Sequence, residues 1–254
     1  MIEVDQLGEV FTTFDTQDSG KVSYGVRRGE RRFFVKTAGC VDDPAPTLDH
    51  TTRVALLRNA VAIARAVTHR ALPRLHDVIE SPAGPLLVYD WFDGELLGVP
   101  SAQRDDPASS FQRFRALPAP TIANTLTVIY ELHAELARAG WVAVDFYDGS
   151  LMYDFTAHEL RVIDLDMYHR GPFTNPMGRM FGSTRFMAPE EFELGARIDE
   201  RTTVFALGRA ASVFLGERGT PAQRAAATRA CSPDPSRRFA SVADFLAAWS
   251  SLRG

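Results

Sequence analysis

The sequence predicts an α+β fold in two lobes, a small β-rich N-terminal lobe with one helix and a larger, mostly helical C-terminal lobe. Three observations point there. Strand-like runs crowd residues 8–37; one segment of helical spacing follows at 50–66 between strands; and beyond residue 93 the long apolar stripes recur at helical spacing. The division falls at residues 1–92 and 93–254. A chain of 254 residues with 45% hydrophobic content can bury a substantial core as one two-lobed domain or two small ones.

The runs GEVFTTF, KVSYGVRR and RRFFVKTA cluster β-favouring residues and are parted by turn formers at Asp15 to Gly20 and Arg28 to Glu30. His50 to Ala66 puts Val54, Leu57, Val61 and Ala64 on one stripe, with Asp49 or Thr51 available to cap it. Leu75–Ile79 and Pro85–Tyr89 read as two further apolar strands, followed by DWFDGELL. From Gly98 to Pro118 the chain is polar and broken by three prolines, with a short helix expected around Ser109 to Arg115. A loop of this length is either functional or mobile, and it is the candidate for acceptor or partner recognition. Thr121 to Ala139 forms a second helix, apolar at Ile122, Leu126, Ile129, Leu132 and Leu136, and His133 between these positions reads as packing. Leu151–Phe155 and Leu160–Ile163 form a hairpin-like pair, and Ser241–Leu252 makes a closing helix with Phe245, Leu246 and Trp249 inward.

Composition narrows the function. A net charge of -4 offers no basic surface for a polyanion, which argues against nucleic acid. Cys40 and Cys231 lie far apart and outside any metal-ligand spacing, as expected of reduced thiols in a cytoplasmic protein. No stretch approaches eighteen apolar residues and the N-terminus lacks a basic-then-apolar signal pattern, so no membrane association is expected.

The chemistry concentrates in GWVAVDFYDGSLMYDFTAHELRVIDLDMY, residues 140–168. Asp145 is followed five residues later by Ser150 and nineteen later by Asp164, with the hairpin between them. One carboxylate on a loop can orient an acceptor hydroxyl, and a second at the end of a return strand can hold a magnesium ion against phosphates. The order resembles that of the eukaryotic-like serine/threonine protein kinases. Against the family pattern H-R-D-L-x-x-x-N the chain reads Ala143 to Ser150 with Asp145 at the Asp; Asp164-Leu165-Asp166 stands at D-F-G; and Ala188-Pro189-Glu190, inside GSTRFMAPEEF, stands at A-P-E. Thr203 to Gly208 looks like the D-x-W-S-L-G helix, and CSPDPSRRF resembles the D-P-x-x-R turn, which implies an ion pair between Arg238 and Glu190.

The resemblance spans about Phe11 to Trp249. It implies a bilobal protein-kinase-like fold that binds ATP and magnesium between its lobes and moves the γ-phosphoryl group to a hydroxyl, most plainly of a protein Ser or Thr. Asp145 would orient that hydroxyl, with a turn-capping Asp as the bland alternative. Lys36, closing strand FFVKTA, would contact phosphates; the alternative is a Lys snorkelling on an edge strand. Gly20 and Val22 would belong to the phosphate loop. Asp90, Trp91 and Phe92 would offer backbone groups to the adenine, although both aromatics are equally readable as core, and Glu95 would lie near the ribose. Asp164 would bind magnesium with Ser150 or Asp166, the last being equally readable as a turn cap.

The chain also departs from the pattern. Only Gly20 remains of the three loop glycines, with Asp15 and Gln17 at the other two positions. No Asp or Glu occurs from His50 to His76, and Ala60 stands where the family's helix Glu pairs with the Lys. Ser150 replaces the metal-binding Asn, Tyr147 a Lys and Val144 an Arg. Two alternatives follow, a small-molecule kinase of the same fold, favoured by the Asp164-x-Asp166 pair, and a pseudokinase that binds a nucleotide or a partner. Transfer of a nucleotidyl group stays open as a third.

Overall fold

The strand-forming runs of the first ninety residues assemble into one antiparallel sheet in the computed structural model of the chain, which describes residues 4–16, 19–41 and 47–250. Its strands are β1 (Glu9–Phe14), β2 (Val22–Arg28), β3 (Arg31–Thr37), β4 (Leu75–Ile79) and β5 (Leu86–Asp90), in the order β1-β2-β3-β5-β4. Between β3 and β4 runs helix α1 (His50–Ala66), whose N-terminus is capped by Asp49 accepting the Thr52 amide at 2.7 Å. Alternation along the strands sorts their side chains onto two faces. Val26, Phe33, Val35, Leu86 and Val88 form one apolar layer, with the 3-10 turn Val4–Leu7 packed against it. Leu87 and Ala38 lie in the other, with Leu57, Ala60 and Val61 of α1. The stripe on α1 is therefore carried by Leu57, Ala60, Val61 and Ile63, while Val54 and Ala64 are only half-buried.

The chain divides into two compact units. The first holds the described residues up to Thr68 together with Pro73–Asp93; the second holds His69–Leu72 and the described residues from Gly94 onward. Expected at 92/93, the boundary thus lies one residue later, and a four-residue piece of the N-terminal region belongs to the second unit. That piece is fixed there by the Val162 amide donating to the Ala71 carbonyl at 2.7 Å and by Arg70 pairing with Glu131 at 3.0 Å.

The second unit begins with β6 (Glu95–Leu96), α2 (Ser110–Ala116) and α3 (Ala119–Arg138). The expectation of a polar or mobile insertion at 98–118 is corrected here, because Phe111 and Phe114 of α2 are buried. Phe114 stands edge-on to Tyr153 at 4.9 Å and to Phe214 at 5.1 Å, and the Ser110 hydroxyl donates to the Leu96 carbonyl. Two aromatics spaced three residues apart in a proline-broken stretch are enough to seat about two helical turns in a core.

Next come β7 (Trp141–Val142), the hairpin of β8 (Leu151–Asp154) and β9 (Glu159–Val162), and two short pairings, β10 (His169–Arg170) on β7 and β11 (Phe173–Thr174) on β12 (Arg197–Ile198). Helices α4 (Glu200–Phe214), α5 (Pro221–Ala230) and α6 (Val242–Ser250) complete six α-helices among the described residues. All five expected apolar positions of α3 are buried. Phe245 and Trp249 of α6 pack on Tyr130, and the Trp249 indole donates to Thr127 Oγ1 at 3.0 Å. Leu246 is half-buried rather than fully inward, and Leu252 lies outside the described residues, as does Gln17.

Candidate functional site

Asp145 sits on a loop that is anchored at both ends. On the N-terminal side the Ala143 amide donates to Thr203 Oγ1 of α4 at 2.9 Å, so the hydroxyl of this Thr ties the loop to a buried helix. Phe146 packs edge-on against His133 at 4.7 Å. His133 Nδ1 lies 2.8 Å from the Ile129 carbonyl, which can only accept, so that nitrogen carries the proton and Nε2 accepts from the Tyr168 hydroxyl at 2.8 Å. Burial lowers its pKa to about 4, which leaves a neutral, structural imidazole, as expected for packing.

On the C-terminal side the turn Asp148–Ser150 closes with the Ser150 amide on the Tyr147 carbonyl at 3.0 Å. The Ser150 hydroxyl reaches back to the Asp145 carbonyl at 3.3 Å, and its own carbonyl accepts the Ile163 amide at 2.8 Å. Ser150 therefore fastens the Asp145 loop to the residue that precedes Asp164. Both acids have left-handed backbone, φ 61° at Asp145 and 59° at Asp164, a region that asparagine and aspartate tolerate but that costs free energy. Such conformations persist where the surroundings impose them, and they gather at working sites.

Two glycines make the loop's path possible. A Cβ on Gly98 would stand 2.5 Å from Gly149 Cα, and one on Gly149 would stand 2.3 Å from the Tyr147 ring. Backbone thus lies directly on backbone, with the Tyr147 ring against the turn. Burial, and after it the charges of Asp145, Asp164 and Asp148, push the Tyr147 phenol up to about 12.

Asp148 is buried and paired with Arg185 at 2.8 Å. Arg185 belongs to GSTRFMAPEEF; its carbonyl accepts from Arg209 at 2.7 Å and its guanidinium lies over Phe111 and Phe186. Neither residue was legible as part of the site, since an Asp in a turn and an Arg in a loop carry no pattern. Glu190 and Arg238 form the expected ion pair, bidentate at 2.6 and 2.8 Å and fully buried on the Arg238 side. Its neighbour Glu191 is a second acid missed in the sequence. Glu191 lines a small cavity of about 10 Å³ with Asp145, walled by Ala143, Gly182, Met187 and Ala206. Burial, against the bond from the Ala188 amide at 2.7 Å and with the charges of Glu190 and Asp145 adding to it and Arg238 opposing, raises its pKa to about 7.

The expected site residues are distributed between the two units. Asp145, Ser150 and Asp164 come together in the second, and Asp166 is buried in the turn after Asp164. Glu95 also belongs to it, held bidentately by Arg113 of α2 at 2.9 and 2.8 Å. The first unit carries Lys36, Gly20, Val22, Asp90, Trp91 and Phe92. Lys36 is buried, and because it pairs across the sheet with Leu87 it projects on the face covered by α1. That excludes the snorkelling edge-strand reading, β3 being interior to the sheet. The Asp90 and Trp91 amides donate to the Arg74 and Arg32 carbonyls at 3.1 and 3.2 Å. Arg53, on the buried side of α1, was not foreseen; it donates to the carbonyls of Gly20 and, at 2.8 Å, Cys40, and so holds the β1–β2 connection.

Among the described residues no group of three or more His, Cys, Asp and Glu side chains is arranged to hold a metal by itself. The donors Asp164, Ser150 and Asp166 suit instead the habit of magnesium, which takes one or two carboxylates and completes its shell with water and phosphate oxygens. Compared with known proteins, the sequence matches no family model and no curated protein.

Proposed function

We propose that this chain is an ATP- and magnesium-dependent phosphotransferase of protein-kinase-like fold, acting on a hydroxyl acceptor, in first place a protein Ser or Thr. The observation that carries the reading is that Ser150 ties the loop of Asp145 to the segment of Asp164 that follows the hairpin, and that both acids are held in left-handed backbone. Asp145 is assigned the acceptor hydroxyl, whose proton it accepts through a hydrogen bond. Asp164, with Ser150 or Asp166, is assigned the magnesium ion, which when bound neutralises charge on the phosphates. Lys36 is assigned a phosphate contact. Positioning and charge neutralisation supply most of the rate in this chemistry, so the loss of a helix acid and two loop glycines is compatible with activity.

A protein acceptor is favoured by three large apolar side chains, Met177, Phe192 and Leu194, exposed in the stretch that contains GSTRFMAPEEF. A small-molecule acceptor is favoured by the second acid, Asp166. A pseudokinase reading is favoured by α1, which presents Ala60 and no acid to the sheet face that carries Lys36. The unpaired cysteines, one of them exposed, suit a cytoplasmic setting.

The test is incubation with γ-labelled ATP and magnesium, alone and with cell extract, beside Asp145→Asn and Asp164→Ala. Label in protein that vanishes in both variants is the expected result. Label confined to metabolites moves the acceptor to a small molecule, and no label with retained nucleotide binding makes the chain a pseudokinase.

A further inference from the structure

Glu191 has no counterpart in the chemistry assigned above, yet it is a buried carboxyl that lines, with the proposed base, a small cavity of about 10 Å³, space for about one water molecule. The cavity exists because Ala143, Gly182 and Ala206 present so little side chain to it. Glu191 also fixes the segment that covers Asp145. Its side chain accepts the Ala188 amide at 2.7 Å and its carbonyl accepts the Met180 amide at 2.8 Å, so the stretch 180–191 is pinned at both ends to one residue. Gly182, within that stretch, passes so close that a Cβ there would lie 3.4 Å from Asp145 Oδ1.

The geometry points to Glu191 as a positioning residue for Asp145: a protonated acid that keeps the 180–191 segment closed over the base and releases it on ionisation. Neutral, it shares the cavity with Asp145 without repulsion. Ionised, it sets a second negative charge against Asp145 where the space holds about one water and screens little. The charged groups facing it are Glu190 beside it, Asp145 across the cavity and Arg238; the first two disfavour ionisation and the third favours it. The upward displacement of its titration to about 7 places the change within the physiological range. This inference rests on the phosphotransferase reading for its consequence in catalysis, but the closure itself is measurable without any turnover.

The experiment is hydrogen exchange of the 178–192 region at pH 6 and pH 8, corrected for the intrinsic pH dependence of exchange, in the wild-type chain and in Glu191→Gln. The amide oxygen of the Gln keeps the bond from Ala188 while removing the ionisation, so this variant is expected to fold. Corrected exchange of the wild-type region should rise about tenfold from pH 6 to pH 8, because opening restores an ordinary carboxyl, and should stay level in Glu191→Gln. Equal protection of the wild type at both values, or the same rise in the variant, overturns the inference. Phosphoryl transfer measured over the same range should fall on the alkaline side in the wild type and not in the variant. If exchange responds as stated while no transfer is found under any condition, the closure stands and the phosphotransferase reading fails.

Discussion

Glu191 and His133 are both buried and neutral near pH 6, and they act on stability in opposite senses. A carboxyl whose pKa rises from 4.5 to about 7 on folding contributes stability that is complete below 4.5 and is lost as the pH climbs toward 7. An imidazole lowered from 6.5 to about 4 contributes stability that is complete above 6.5 and is lost as the pH falls toward 4. Between 4.5 and 6.5 the two slopes cancel. In Glu191→Gln the histidine slope is uncovered, and the variant gains on the wild type from pH 4.5 upward, reaching roughly 3 kcal/mol by pH 7.5 at about 1.4 kcal/mol per pKa unit. Urea midpoints across that range measure the difference; a constant offset at every pH would contradict the assignment. Nothing in the residue type of Glu191 announced this, since one acid beside another in MAPEEF reads as a solvated pair until burial separates their roles, Glu190 to Arg238 and Glu191 to the cavity.

At the scale of elements, the Glu190–Arg238 pair joins the loop before α4 to the segment before α6, and each partner is satisfied several times over: Arg238 also donates to the carbonyls of Ser232 and Arg201, and Glu190 also accepts from Thr202. Removing one partner leaves the other charged and buried. Arg238→Met should therefore cost roughly 3–5 kcal/mol, read as a lowered denaturation midpoint, and Glu190→Gln added to it should recover part of the loss. This pair was legible because it rides on two short motifs of fixed composition. The five strands of the first sheet, helices α1 and α3 and the β8–β9 hairpin were legible for a different reason, their periodicity being long enough to stand above accident, whereas the two-residue strands β6, β7, β10, β11 and β12 were too short to show any. Helix α2 was expected near Ser109 to Arg115, but the burial of its aromatic face was obscured by Pro107 and Pro118 on either side and by the polar residues around Phe111 and Phe114. The network of Asp148, Arg185 and Tyr147 was invisible, because it depends on residues 37 positions apart meeting in space. The glycine contact of Gly98 and Gly149 was hidden for the same reason.

For the molecule as a whole, the proposed function requires that nucleotide and magnesium bind the folded chain and not the unfolded one. At a concentration a hundred times the dissociation constant this adds about 2.7 kcal/mol, which for a domain of this size is a rise of several degrees in melting temperature. The rise should need both ATP and magnesium, and should disappear in Asp164→Ala while that variant's melting temperature without ligand stays that of a folded protein. A shift that survives the substitution would move the metal elsewhere. The course of the chain has a consequence of its own for biosynthesis. His69–Leu72 is made early, amid the strands of the first unit, yet its bonds with Glu131 and Val162 wait for residues translated much later. The second unit's bonds to Ala71 and Arg70 therefore need residues from outside its own contiguous stretch of message. A gene cut at codon 93 would release a C-terminal product lacking the Ala71 carbonyl and the Arg70 guanidinium, with the Val162 amide, one residue before the strand reaches Ile163 and Asp164, left without its acceptor.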